Sequence, residues 1–324
     1  MKKYKVVIDV MGSDKGAAMM VRGAKLALDK REELEILLVG DEGEIRAAAE
    51  ECGMDMSRVE ILHSEEVITN YDSPAVALFQ KTRSSLVMAL SALAERDDLV
   101  GLVNAGSTGA LIAGAMRFLP TPERVRPALA AVLPAESGGF VCLVDTGATI
   151  DCSASTLLHF ARLGSDFMRD MYKLESPKVG LLSNGKEETK GNKVVKEAHG
   201  LLRESGLNFV GNIEGTNALS GECDVLVCDG FAGNQVLKVT EGTARRIITD
   251  IVKLAKRTGK EEYMAIVAHL MELYDFNSLG GGIILGVCKP VIKAHGASNE
   301  KSIMNVTDMI LNLAENKDAF AGRV

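Results

Sequence analysis

Short runs dominated by Val, Ile and Leu recur along the chain. They are YKVVIDV from Tyr4, EILLVG from Glu35, VEILH from Val59, LVGLVNA from Leu99, FVCLVD from Phe140, KVGLLSN from Lys178, NFVGNI from Asn208, DVLVCD from Asp224 and IILGV from Ile283. Within most of them apolar residues follow one another instead of alternating with polar ones, which is the pattern of strands buried on both faces. Such strands belong to a mostly parallel sheet covered by helices. The intervening segments supply the helices: residues 17–30, 75–96, 153–173, 188–205 and 234–256 space their apolar residues three to four apart. The expected class is α/β.

A chain of 324 residues, 47% of them hydrophobic, buries enough surface to fold without disulfides or a structural metal. Its length allows one large α/β unit over 1–324 or two lobes, with a weak break near 120–125 in LPTPERVRP. Residues 253–277 read as a helical excursion before the last strand, offering a dimer face, a membrane-touching face or core. The net charge of −7 and the lack of any basic run longer than Lys-Arg argue against a nucleic-acid partner. The first apolar stretch breaks at Asp9, too early for a signal peptide, and no run approaches a membrane span. A cytoplasmic protein is expected. Six cysteines without a CxxC pair, and five histidines without HExxH, predict reduced thiols and no metal.

Function is concentrated where strands end. Asp9, Asn104, Asp145, Asn184 and Asp229 each close a strand and lead into a Gly-containing turn before a helix. Ligands of open α/β sheets bind outside the carboxyl ends of the strands, and a glycine turn opening a helix favours an anion. Any one turn is explained by geometry and capping alone. Five in one chain favour an anion site built from several loops. No GxxxxGK[ST] is present and no GxGxxG follows the first strand, so triphosphate hydrolysis and a standard dinucleotide site lose ground. Ser107 in AGSTG approaches the nucleophile-elbow pattern without completing it and reads better as an anion-contacting hydroxyl. Lys190 in KEETKGN is either a phosphate partner or a solvated charge. His295 in KAHG is either a proton carrier, an oxyanion donor or a capped structural residue.

These blocks, taken in order, resemble the PlsX-type phosphate acyltransferases of bacterial phospholipid synthesis. The resemblance runs from Asp9-Val10-Met11-Gly12 through NAGSTGAL (104–111), RPALAAVLP (126–134), DTGATIDCSASTLLHFARLGS (145–165) and PKVGLLSNGKEETKGN (177–192). It continues through DVLVCDGFAGNQVLKVTEG (224–242) to PVIKAHGASN (290–299). The chain departs from the family's usual residues at Ser13, Ser107, Thr149 and Ile150. The resemblance implies a fold similar to phosphotransacetylases and isocitrate dehydrogenase-like enzymes, a homodimer, and no cofactor. It also implies a reaction: inorganic phosphate attacks a fatty acyl thioester of acyl carrier protein and releases the thiol.

On that basis Lys190, Asn234, His295 and Asp229 are the expected catalytic residues. Asn104, Gly106, Ser107, Thr108, Gly109, Lys293 and Asp9 are the expected substrate-binding residues. Lys190, the 106–109 backbone, Ser107 and Thr108 would hold phosphate. Asn234 and His295 would donate to the thioester oxygen or orient phosphate, Lys293 would supply positive potential, and Asp229 would position groups or accept a proton. Arg245, Arg246, Lys253, Lys256, Arg257 and Lys260 would offer an acidic carrier protein a basic face, beside a peripheral membrane contact. Two alternatives stay open: a short-chain acyl-coenzyme A phosphotransacetylase, and a non-catalytic member that binds acyl carrier or lipid.

Overall fold

Two compact units emerge in the computed structural model, which describes residues 3–120, 125–274, 281–296 and 298–315. The first comprises Met1–Leu129, Arg169–Lys173 and Asn277–Val324, the second Ala130–Met168 and Leu174–Phe276. In chain order the first unit begins with β1 (Tyr4–Asp9), α1 (Gly16–Lys30), β2 (Leu34–Gly40), α2 (Glu42–Cys52) and β3 (Val59–His63). It goes on with α3 (Pro74–Gln80), α4 (Ser85–Glu95), β4 (Leu99–Asn104) and α5 (Thr108–Phe118). The second unit holds most of β5 (Ala128–Pro134), then β6 (Phe140–Val144), most of α6 (Ala154–Tyr172), β7 (Lys178–Ser183) and α7 (Lys193–Arg203). It ends with β8 (Asn208–Glu214), β9 (Val225–Val227), α8 (Gly230–Thr258) and α9 (Glu262–Leu273). The chain then returns to the first unit for β10 (Gly282–Leu285), β11 (Val291–Lys293) and α10 (Glu300–Glu315).

In the first unit the strand order is β3-β2-β1-β4-β11-β10, parallel except for the β10–β11 pair. Val6, Val7 and Ile8 of β1, Ile36–Val39 of β2, and Leu102 and Val103 of β4 are almost completely buried, as continuous apolar runs require. In the second unit the order is β5-β6-β9-β7-β8, parallel except for β5–β6. Its core gathers Leu133, Val141, Leu143, Ile213, Cys223, Leu226 and Cys228. Burial pushes the thiols of Cys142 and Cys223 up to about 12, so they act as small apolar side chains.

The sheet of mostly parallel strands flanked by helices is the class expected. Several elements differ from their sequence pattern for local reasons. The single helix read over 75–96 is two, because the chain leaves the α region at Lys81 (φ −99°, ψ 59°) and is extended at Ser84. The Ser84 hydroxyl donates to the Lys81 carbonyl at 2.7 Å and gives the backbone a competing bond. The helix read from 188 starts at Lys193, where the Asn192 side chain accepts from Val195 N–H. The helix read over 234–256 is longer, capped by Asp229 and stopped at Gly259, whose φ is +66°. Residues 121–124 of the break near 120–125, residues 275–277 of the excursion, and Gly280 lie outside the described residues.

In the second unit the first turn of α8 sits against the end of β6. A Cβ at Gly233 would stand 1.9 Å from the Asp145 carbonyl oxygen and 2.8 Å from Cys228 Sγ. Alanine's helix preference is worth about 1 kcal/mol over glycine. A clash with backbone at that distance forces the strand end and helix apart, at a cost of about 1–3 kcal/mol or more. Gly233→Ala is therefore expected to be less stable than wild type, with a lower urea midpoint at unchanged slope. A midpoint at or above wild type would contradict this packing.

Candidate active site

Asp9, Asn104 and Lys293, the last residues of β1, β4 and β11, stand in one row. The pairing sets Asp9 opposite Asn104 and Asn104 opposite Lys293. The chain leaves β1 for β2 on one side and reaches β4 on the other, so the connections diverge at this row. That is the switch point at which an open α/β sheet leaves a crevice for a ligand. A chain of hydrogen bonds fixes the loop beyond it. Asn104 Nδ2 donates to Asp9 Oδ2 at 2.8 Å, and Met11 N–H donates to Asp9 Oδ1 at 3.1 Å. An ionised carboxylate only accepts, which forces the NH2 side of Asn104 toward Asp9 and its oxygen away. Asn104 Oδ1 then accepts from Gly106 N–H at 2.9 Å, and the Asn104 carbonyl accepts from Ala294 N–H at 2.8 Å.

Asp9 is fully buried, and burial pushes its carboxyl up to about 6 against the downward pull of Ser85, the Met11 N–H and the Asn104 amide. The buried Ser85 hydroxyl lies against this carboxyl without completing a bond of ordinary geometry. The turn before α1 comes close to the turn before α5. Gly12 has φ +77°, and a Cβ on it would stand 3.1 Å from the Gly106 Cα. Ser107 is the N-cap residue of α5, yet its side chain makes no cap bond, although the residue is only 7% exposed. Among the described residues no side-chain cap closes the first turn of α5, and a helix N-terminus of this kind favours an anion. Lys293 is buried with its ammonium on the Ala294 carbonyl, and the half-buried His295 accepts from Ser298 N–H through its own carbonyl.

The second unit carries its own strand-end loops. The fully buried Asp145 accepts from the N–H groups of Gly147 (3.2 Å), Ala148 (3.0 Å) and Thr149 (2.6 Å). The Thr149 carbonyl in turn accepts from Gly230 N–H at 2.7 Å. Asp229 caps α8 by accepting from Ala232 N–H at 2.7 Å. Asn234 lies in the second turn of α8, partly buried. Lys190 is exposed at the end of a closed loop. Gly191 N–H donates to Asn184 Oδ1 at 2.7 Å, Lys190 N–H donates to the Glu187 carbonyl, and no carboxylate pairs with the Lys190 ammonium among the described residues.

Of the residues singled out from sequence, Asp9, Asn104, Gly106, Ser107, Thr108, Gly109, Lys293 and His295 sit at or just past the strand row of the first unit. Lys190, Asp229 and Asn234 belong to the second unit, the latter two on α8 and Lys190 on a separate loop. Two participants escaped the sequence reading of the site. Asp145 was visible as a polar strand end but not as the organiser of its loop. Ser85 stood out only as half of the Ser84-Ser85 pair and was given no role.

The row of strand ends with its buried Asp9, Asn104 and Lys293 defines an open α/β protein with a crevice at its strand ends. Among solved structures the chain is similar to a phosphotransacetylase from Streptococcus pyogenes, with a TM-score of 0.66 at 18% identity over 97% of this chain and 94% of that one. That likeness is one of fold. In sequence the chain is 37% identical to a phosphate acyltransferase of Caldanaerobacter subterraneus subsp. tengcongensis, covering 96% of this chain and 94% of the relative. It is 40% identical to one of Pelotomaculum thermopropionicum, covering 97% and 92%. The profile of the family described as "Fatty acid synthesis protein" matches residues 4–318, and the chain belongs to that family of phosphate acyltransferases.

The position of Asp9 gives stability a pH dependence of definite sign. Its folded pKa, about 6, exceeds the ordinary 3.8. Its contribution to stability is therefore complete below about pH 4, falls as pH rises toward 6, and is lost above, a change of about 3 kcal/mol. The difference in unfolding free energy between wild type and Asp9→Asn should decline over that window and level off beyond it. Parallel curves across the window would refute the raised pKa.

Proposed function

We propose that the protein transfers a fatty acyl group from acyl carrier protein to inorganic phosphate, giving an acyl phosphate for phospholipid synthesis. The observation that carries the reading is the α5 terminus. It has a buried Ser107 hydroxyl, a first turn without a side-chain cap, and the buried Lys293 at the end of the same strand row, in a chain of the phosphate acyltransferase family.

In this reading the N–H groups and hydroxyls of Ser107 and Thr108 bind phosphate, with the Gly106 and Gly109 backbone leaving it room. Lys293 keeps the local potential positive, and Asp9 and Asn104 hold the loop in shape. A hydrogen phosphate oxygen attacks the acyl carbon, the new C–O bond forms, and the C–S bond breaks as the tetrahedral oxyanion collapses. The proton of hydrogen phosphate ends on the departing thiolate, so charge and atoms balance without an enzyme nucleophile. Thiolate leaves readily, and preorganised donors to the oxyanion make the main contribution to rate. His295 and Asn234 are assigned as such donors, Lys190 as a cation for phosphate, and Asp229 as the group that positions the start of α8.

The proposal extends to a homodimer in the cytoplasm with peripheral contact at the inner face of the membrane. No helix among the described residues is long and apolar enough to cross a membrane. Ile247, Met264, Ile266 and Met271 expose apolar surface on α8 and α9, which supports a contact face there. Arg245, Lys256, Arg257 and Lys260 are exposed on or just past α8 and support docking of an acidic carrier.

Thiol release from long-chain acyl carrier protein, with and without phosphate, tests the reaction. Phosphate-dependent release with acyl phosphate as product is expected. Release only from acyl-coenzyme A would favour the short-chain reading, and carrier binding without turnover would favour a non-catalytic one. Lys190→Ala should lower turnover about 100-fold with the fold intact, and near-normal turnover would remove Lys190 from the mechanism. Joint Arg246→Glu and Lys253→Glu substitution should raise KM for the carrier-bound substrate and flatten its salt dependence, while the coenzyme A thioester is unaffected. Equal effects on both donors would place the carrier elsewhere.

A further inference from the structure

Between β3 and α4 the chain closes on itself and forms a lobe that lies on the turns of the first unit's strand row. The ends of the lobe meet twice. The buried Ser64 hydroxyl donates to the Arg83 carbonyl at 2.7 Å, and Ser85 N–H donates to the Glu66 carbonyl at 2.9 Å. Its inner side reaches both loops of the site. A Cβ at Gly12 would stand 3.8 Å from Val67 Cγ2, and one at Gly109 would stand 2.8 Å from Pro74 Cγ. The lobe's helix, α3, has 7 residues and buries only Ala77 and Leu78 among them. A helix that short does not hold itself, so the lobe takes its shape from the contacts that fasten it. Lys81, the residue that ends α3, supplies the central one. Its ammonium donates to Asp72 Oδ2 at 2.8 Å and to the Val67 carbonyl at 3.0 Å. Asp72 accepts in addition from the N–H (2.7 Å) and hydroxyl (2.9 Å) of Thr69.

The Lys81 and Asp72 side chains are 30% and 25% exposed, so salt screens this pair less than one on the open surface. The Lys81 hydrogen bond, helped by Thr69, holds the Asp72 carboxyl down to about 2, and the carboxylate is ionised across the neutral range. The clasp thus spans the lobe from Val67, which faces the Gly12 turn, to the residues just before Pro74, which faces the start of α5. We infer that Lys81 is a positioning residue for the phosphate site, its clasp on Asp72 and Val67 holding the lobe against the Gly12 turn and the start of α5. The inference rests on the acyl-transfer reading for the identity of the anion. Two of the three ammonium hydrogens are committed to Asp72 and Val67, which makes Lys81 a fastener and not a phosphate ligand.

The test uses the full chain, with thiol release followed at varied phosphate to separate KM from kcat. The rise in melting temperature with added inorganic phosphate serves as a binding readout free of turnover. Lys81→Met keeps most of the stem and removes the ammonium. It should raise KM for phosphate about tenfold while lowering kcat by no more than about threefold. It should also need about tenfold more phosphate for the same rise in melting temperature. Lys81→Arg can still donate to a carboxylate and a carbonyl, and should recover part of the loss. Asp72→Asn should act as Lys81→Met does, and the double variant should be no worse than either alone, because both break one contact. Asp72→Asn also keeps the test open if Lys81→Met fails to fold.

A lower melting temperature with an unchanged phosphate KM would leave Lys81 a purely structural residue and overturn the inference. Tighter phosphate binding by Asp72→Asn would do the same, since it would make Lys81 a ligand released by loss of its partner. Single effects that multiply in the double variant, or no recovery in Lys81→Arg, would also count against the clasp. Absence of thiol release by wild type would defeat the acyl-transfer reading alone. The phosphate-dependent rise in melting temperature would then decide the clasp. Equal rises in wild type and Lys81→Met, or none in either, would overturn it.

Discussion

The hydrogen bond between Asn104 and the buried Asp9 organises the first unit's end of the molecule. It joins two neighbouring parallel strands at their last paired residues, where the ladder stops and loops begin. Because a carboxylate offers only acceptors, the bond decides which way the Asn104 amide points, and that decides which loop N–H it can hold. Gly106 is held, so Ser107 enters α5 in one conformation, with the helix's first turn facing outward. Sequence separation makes the arrangement specific: residues 95 positions apart must first be brought side by side by the β1–β4 pairing.

The second unit uses a buried carboxylate differently. Asp145 binds three successive N–H groups of its own loop, an arrangement that curls the backbone around the side chain and keeps the carboxylate satisfied. The curled loop offers the Thr149 carbonyl to Gly230 at the start of α8. Asp9 accepts from Met11 N–H and the Asn104 amide, and burial outweighs these contacts, so its proton is held to higher pH than that of an ordinary aspartate. Two strand-end aspartates that look alike in sequence therefore do separate jobs. One is a template for a loop. The other is a buried carboxyl, held protonated to higher pH than a free one, at the foot of the turn before α5.

This difference marks the extent to which structure was legible in sequence. Strands such as 99–104 and 140–144 were readable because continuous apolar runs have few other uses in a chain of this class. Strand β5, ALAAVLP, was not, since its alanines carry no β preference and the strand is made by pairing with β6. The division of 75–96 was hidden because Lys81–Ser84 fits helical periodicity and is diverted only by its hydrogen bonds. Asp9, Asn104 and the 106–109 turn were legible as a group, since position at a strand end is itself a functional clue. Ser85 was not. It opens α4, and its approach to Asp9 depends on how that helix packs against β1.

The chemistry proposed for the site and the choice of substrate draw on different physics. A reacting carbonyl and phosphate are the same in every acyl thioester, so the donors at the α5 turn cannot distinguish one chain from another. Hydrocarbon length is read only by apolar contact, at about 0.8 kcal/mol per methylene removed from water, or about fourfold in affinity. A few well-placed residues therefore suffice, provided they are rigid. Arg117 stacks on Phe79 and bonds α3 to α5, which fixes the two helices against each other beside the turn that follows β4.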